Sequence, residues 1–110
     1  MTKQEVIDII KAAAERYGFT TGKYSMTWVI EIMEPEGTHY LNFFVRERRE
    51  KDIDWSSGEI KMKLLFSASL ASMGGETTPE ELLNAADIIR RGAELVRELQ
   101  NMNLSYTDKI

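Results

Sequence analysis

Residues 59–70 read Glu59-Ile60-Lys61-Met62-Lys63-Leu64-Leu65-Phe66-Ser67-Ala68-Ser69-Leu70, and the reading of this stretch decides the fold. Taken at every second position, Ile60, Met62, Leu64, Phe66, Ala68 and Leu70 form an apolar row against Glu59, Lys61, Lys63, Leu65, Ser67 and Ser69. That alternation is what a half-buried β-strand requires. A helix is the competing reading for the second half, since Leu, Ala and Met form helices readily and Gly74-Gly75 would end one. The unbroken period of two assigns the stretch to a strand.

Upstream, the same period appears twice more. Tyr24, Met26, Trp28, Ile30 and Ile32 share one face, with Ser25, Thr27, Val29 and Glu31 on the other. His39, Leu41, Phe43 and Val45 then alternate with Tyr40, Asn42, Phe44 and Arg46. Glu34-Pro35-Glu36-Gly37 lies between the two runs and supplies the proline and glycine of a chain reversal. Residues 24–33 and 38–47 are therefore expected to form a β-hairpin, joined to the third strand by the mixed-charge run Arg46 to Asp52 and by Trp55-Ser56-Ser57-Gly58.

Helices are expected at both ends. Thr2 followed by Glu5 is a capping-box pattern; Val6, Ile10, Ala13 and Tyr17 follow at helical spacing, and Gly18 closes the helix. Thr78-Pro79-Glu80-Glu81 gives an N-cap, a proline at the first helical position and early carboxylates. Behind it Leu82, Ala85, Ala86, Ile89, Ala93, Val96 and Leu99 trace an apolar stripe containing Gly92, a residue that close approach of another backbone would explain. The tail after Met102, from about residue 103, is short and polar and is expected to fray. The order is α-β-β-β-α: a single α+β domain over residues 1–110, with a three-stranded antiparallel meander covered on one face by two helices.

Composition supports that class and removes others. The 110 residues include 14 basic and 18 acidic side chains, for a formal charge of −4, with 43% hydrophobic and 29% charged. These values are globular rather than disordered or membrane-spanning. The absence of cysteine excludes a disulfide framework, a thiolate metal site and a cysteine nucleophile. MTKQEVIDIIK lacks the uncharged core of a secretory leader, and no stretch approaches the roughly 20 apolar residues of a membrane helix, so a cytoplasmic protein is expected.

Catalytic chemistry finds little to work with. His39 is the lone histidine and falls on the core side of its strand without evident partners. Glu31, Glu34 and Glu36, and Asp52 with Asp54, are carboxylates near turns whose spacing does not match a calcium loop. Gly74-Gly75 is not part of a phosphate-binding motif, and Glu76, Glu80 and Glu81 would repel an anion there. Ser67, Ser69 and Ser72 have no base beside them. No catalytic residue, metal site or cofactor is expected.

Binding has more support. Two helices cover only one face of a three-stranded sheet, yet the other face carries Val29, Tyr40, Phe44 and Leu65 bordered by Arg46, Lys61 and Lys63. An apolar patch with a charged rim is the anatomy of an interaction site, and a self-complementary one makes a twofold dimer. These seven residues are the expected partner-binding set of a small non-enzymatic interaction protein of bacterial or phage type, with a protein partner or a second copy.

Gly37-Thr38-His39-Tyr40-Leu41-Asn42-Phe43-Phe44-Val45 is similar to the second-strand region of double-stranded-RNA-binding domains, which share the α-β-β-β-α order. That family holds phosphates with a lysine-rich start of its last helix; here the position reads Thr78-Pro79-Glu80-Glu81, and its function is not carried over. A separate alternative is nucleic-acid binding on the open sheet face, with Tyr40 and Phe44 stacking bases and Arg46, Lys61 and Lys63 on phosphates, beside Arg48 and Arg49 in the adjoining loop. The net charge of −4 weighs against it. A phage-type inhibitor of a nucleic-acid-processing complex is a further variant, for which −4 is a modest charge.

Overall fold

A computed structural model describes residues 1–22, 28–33, 41–70 and 76–110, with the backbone alone for 28–31, 33 and 70. The chain is α+β. Its elements are α1 (Lys3–Arg16), β1 (Thr20–Thr21), β2 (Trp28–Met33), β3 (Leu41–Arg49), β4 (Glu59–Leu70), α2 (Pro79–Asn101) and β5 (Ser105–Lys109). The expected meander is β2-β3-β4, antiparallel throughout, and two further strands extend it to the order β1-β2-β3-β4-β5. Residues 24–27, 38–40 and the turn 34–37 lie outside the described residues, as do Ser72, Gly74 and Gly75.

Both helices start as their sequences require. The Thr2 hydroxyl oxygen accepts from the Glu5 amide and donates to the Glu5 carboxylate, each at 3.2 Å. Thr78 caps α2 in the same manner, accepting from the Glu81 amide at 3.2 Å. Helix α1 ends at Tyr17, and Gly18 follows with φ +81°, a left-handed conformation that favours glycine. A second constraint acts there, because a Cβ on Gly18 would lie 2.7 Å from Arg91 Nη1. Arg91 ties the helices together. Its guanidinium donates to the Tyr17 carbonyl and to Asp87 (2.9 Å) and lies 5.3 Å from the centre of the Phe19 ring.

The core lies between the helices and one face of the sheet. Leu41, Phe43 and Val45 of β3 and Ile60 and Leu64 of β4 are buried there, as the alternation predicts. Helix α1 contributes Val6, Ile7, Ile10, Ala13 and Ala14.

Helix α2 departs from the predicted stripe. Its buried positions are Ala85, Ile88, Gly92, Leu95 and Leu99, whereas Leu82, Ala86, Ile89 and Ala93 are exposed. At 100° per residue the two rows lie about a quarter-turn apart. Both are apolar, so periodicity alone could not choose between them; contact with the sheet does. The approach at Gly92 is also not by a backbone: a Cβ would lie 2.2 Å from Phe43 Cζ and 2.6 Å from Leu41 Cδ2.

Two further expectations change. The tail is not frayed: Asn103 turns the chain with φ +51°, and Ser105–Lys109 pairs with β4 while burying Leu104 and Tyr106. Arg48 and Arg49, expected in the loop after a strand ending at residue 47, continue β3.

Candidate functional site

The face of the sheet opposite the helices is set by register. Paired positions share a face, so the open side carries the rows Asn42–Ser69, Phe44–Ser67, Arg46–Leu65 and Arg48–Lys63, the last continuing to Ser105 of β5. The Glu50 amide donates to the Lys61 carbonyl at 3.0 Å, which extends the ladder one row, and Lys61 pairs onward with Thr107. Phe44 is half-buried; Leu65, Arg46, Arg48, Lys61 and Lys63 are exposed.

Of the seven residues expected to form the site, the structure brings five onto this face: Phe44, Leu65, Arg46, Lys61 and Lys63. Phe44 and Leu65 are diagonal neighbours on adjacent strands. The other two are Tyr40 and Val29. Tyr40 lies outside the described residues. Val29 sits at a register shift: Trp28 pairs with Arg46 and Ile30 with Val45, so Val29 is the inserted residue of a bulge. The expected four-residue apolar patch is thus a Phe44–Leu65 pair among the described residues.

What the sequence reading understated is the charge. Arg48 is on the strand, directly opposite Lys63, with Arg46 two residues along β3 and Lys61 two along β4. Among the described residues no ion pair holds Arg48, Lys61 or Lys63. Like charges facing each other across strands are unfavourable. Beside them opens a shallow cleft of about 370 Å³ that reaches the connection after β3 and adds Arg49 and Lys51, with Glu50 and Asp52, to its walls. Beyond the same end of the ladder, the turn before β4 presents Trp55 at 76% exposure.

Other polar groups among the described residues hold the fold together. Asp54 accepts from the Ser56 hydroxyl (2.6 Å) and from the Ser56 and Ser57 amides (3.0 and 3.3 Å); the Ser56 hydroxyl bond leads the effects that hold its carboxyl below the usual range. This builds the turn. Glu47 lies on the covered side opposite Leu64, ion-paired to Lys3, whose Nζ stands 5.8 Å from the centre of the Tyr106 ring. Burial, reinforced by the Glu47 carboxylate, pushes the Tyr106 hydroxyl well above the ordinary tyrosine range. Among the described residues no group of three or more His, Asp or Glu is placed to hold a metal, and no helix is long and apolar enough to cross a membrane. His39, Glu34 and Glu36 lie outside the described residues.

No known protein family, curated protein or solved structure matches this chain.

Proposed function

We propose that this chain is a non-enzymatic, cytoplasmic binding protein whose binding surface is the open face of the sheet, centred on Phe44, Arg46 and Leu65 and extending through Lys61 and Lys63. The observation that supports this reading is the ladder itself. Phe44, Leu65 and a set of cations stand in adjacent rows on the side of the sheet opposite the helices. A rigid sheet holds such side chains in fixed relative positions, which lowers the entropy lost on binding.

Two measurements on the purified chain test the reading: mass by light scattering, and retention of host macromolecules on the immobilised chain. The pair of substitutions Phe44→Glu and Leu65→Glu is expected to lower the mass, if a second copy is the occupant, or to strip retained material, while circular dichroism is unchanged. A chain that is monomeric in both forms and retains the same material refutes it.

A further inference from the structure

Resting on that reading of the open face, we infer that its ligand is single-stranded nucleic acid, with phosphates held by the Arg46, Arg48, Lys61 and Lys63 rows and bases laid on Phe44 and Trp55. The charge pattern supplies the first step. Neighbouring strands stand about 4.8 Å apart and alternate residues about 6.8 Å apart along a strand, so these four cations form a compact grid. Its central pair, Arg48 opposite Lys63, repels itself in the free protein. An anion lying between the two strands relieves that repulsion, and a polyanion that follows the strands meets the next cation at each step.

The neutral and aromatic groups separate nucleic acid from an acidic protein. On one side of the grid the face continues as Phe44–Ser67 and Asn42–Ser69, a partly exposed ring beside side-chain donors and acceptors. On the other side stands the exposed indole of Trp55. Three carboxylate positions border the grid and leave its central row clear: position 31 of β2 pairs with Phe44, Glu50 stands in the Lys61 row, and Glu59 lies one row beyond. From the Phe44 row to the Glu50 row, six residues at ~3.4 Å span about 20 Å, enough for several nucleotides. Bases use aromatic faces and neutral hydrogen-bonding groups; a string of carboxylates uses only the cations. A duplex hides its base faces, so the single strand is the form these groups fit.

Fluorescence anisotropy with labelled oligothymidylate and oligouridylate of about 20 nucleotides, on the full chain at low salt, tests the inference. Saturable binding that weakens as salt rises is expected. The double substitution Arg48→Ala and Lys63→Ala should weaken it at least about tenfold and flatten the log–log salt slope by about 1.4, since each phosphate contact to a single strand contributes ~0.7. Trp55→Ala should weaken binding about tenfold with the slope retained, as loss of stacking does. All three residues are exposed, and circular dichroism checks each variant's fold.

No binding of either oligonucleotide at the lowest salt overturns the inference, as does polyglutamate binding through the same residues as tightly as the oligonucleotides. If either happens while Phe44→Glu with Leu65→Glu still lowers the mass or strips retained material, the nucleic-acid inference falls and the binding face stands. If those substitutions also change nothing, both fall.

Discussion

Gly92 lies in the middle of a 23-residue helix, where replacing an exposed glycine by alanine would stabilise by about 1 kcal/mol through helix propensity. Its surroundings reverse that expectation. An alanine Cβ would stand 2.2 and 2.8 Å from two carbons of the Phe43 ring and 2.6 Å from Leu41 Cδ2, against an ordinary carbon contact of roughly 3.5–4.0 Å. Phe43 has little room to yield: it is 3% exposed, and Phe19 meets it edge-on with ring centres 5.6 Å apart. Overpacking of this kind costs about 1–3 kcal/mol, and contact with two side chains at once places Gly92→Ala toward the upper end. After the propensity gain, the expected net loss is about 1–2 kcal/mol, or a fall in Tm of about 4–8 °C for a domain near this length. Urea and thermal melts followed by circular dichroism measure it. Trimming the ring isolates the cause: in a Phe43→Leu background the same change should be neutral or stabilising, giving a non-additive pair. A Gly92→Ala protein as stable as the parent, or more so, refutes the proposed packing of α2 on β3.

Three other outcomes follow from the same geometry. Lys63→Glu turns the like-charge pair with Arg48 into an opposite-charge pair and should stabilise the fold by about 0.2–1 kcal/mol, a gain that shrinks at high salt in paired melts. Leu104→Ala should cost about 2–5 kcal/mol in urea unfolding, because Leu104 is 4% exposed and leads into a strand of the sheet; a loss below about 0.5 kcal/mol, as for a surface substitution, would mean a loose tail. The raised Tyr106 pKa makes stability depend on alkaline pH. Its contribution is complete below the unfolded tyrosine value of about 10 and is lost as pH rises above it, because only the unfolded chain readily ionises. Tyr106→Phe should therefore flatten the fall in stability above pH 10, and an unchanged slope would show that burial does not hold the hydroxyl protonated.

Much of this fold was legible because two signals agree wherever an element is long. In β4 the period of two runs the full length of the strand, and the capping threonines place both helix starts without help from packing. Where the signal is short or doubled, the sequence alone is insufficient. Ser105–Lys109, with Leu104 just before it, offers one buried alternation, Leu104 and Tyr106, and the open edge of β4 gives it something to pair with. Helix α2 holds two apolar rows, and which one is buried depends on where Phe43 and Leu41 leave space for Gly92. The surplus row, with Ile89, Ala93 and Val96, borders a groove of about 410 Å³ against Leu41, Phe43 and Ala68. Of the site, the outward parity of Phe44, Arg46, Lys61, Lys63 and Leu65 was readable from alternation. The Arg48–Lys63 juxtaposition was not, because it depends on a register that pairs residues 15 positions apart and on β3 outlasting its apolar stretch.

That juxtaposition bears on the net charge of −4. The protein has more acids than bases, so carboxylates are available to neutralise cations, and at several places they do. Arg90 pairs with Asp87 and Glu94, Arg16 with Glu98, and Lys3 with Glu47. On the open sheet the central pair receives no such partner among the described residues, although a single acidic residue at position 48 or 63 would remove the repulsion. Stability of the isolated chain gives no reason for the arrangement, since it works against the strand pairing that presents it. A ligand that brings its own negative charge does give a reason. The acidic remainder of the surface then acts in the same direction, by disfavouring approach of a polyanion elsewhere and so favouring the face where Arg48 and Lys63 have no ion-pair partner among the described residues.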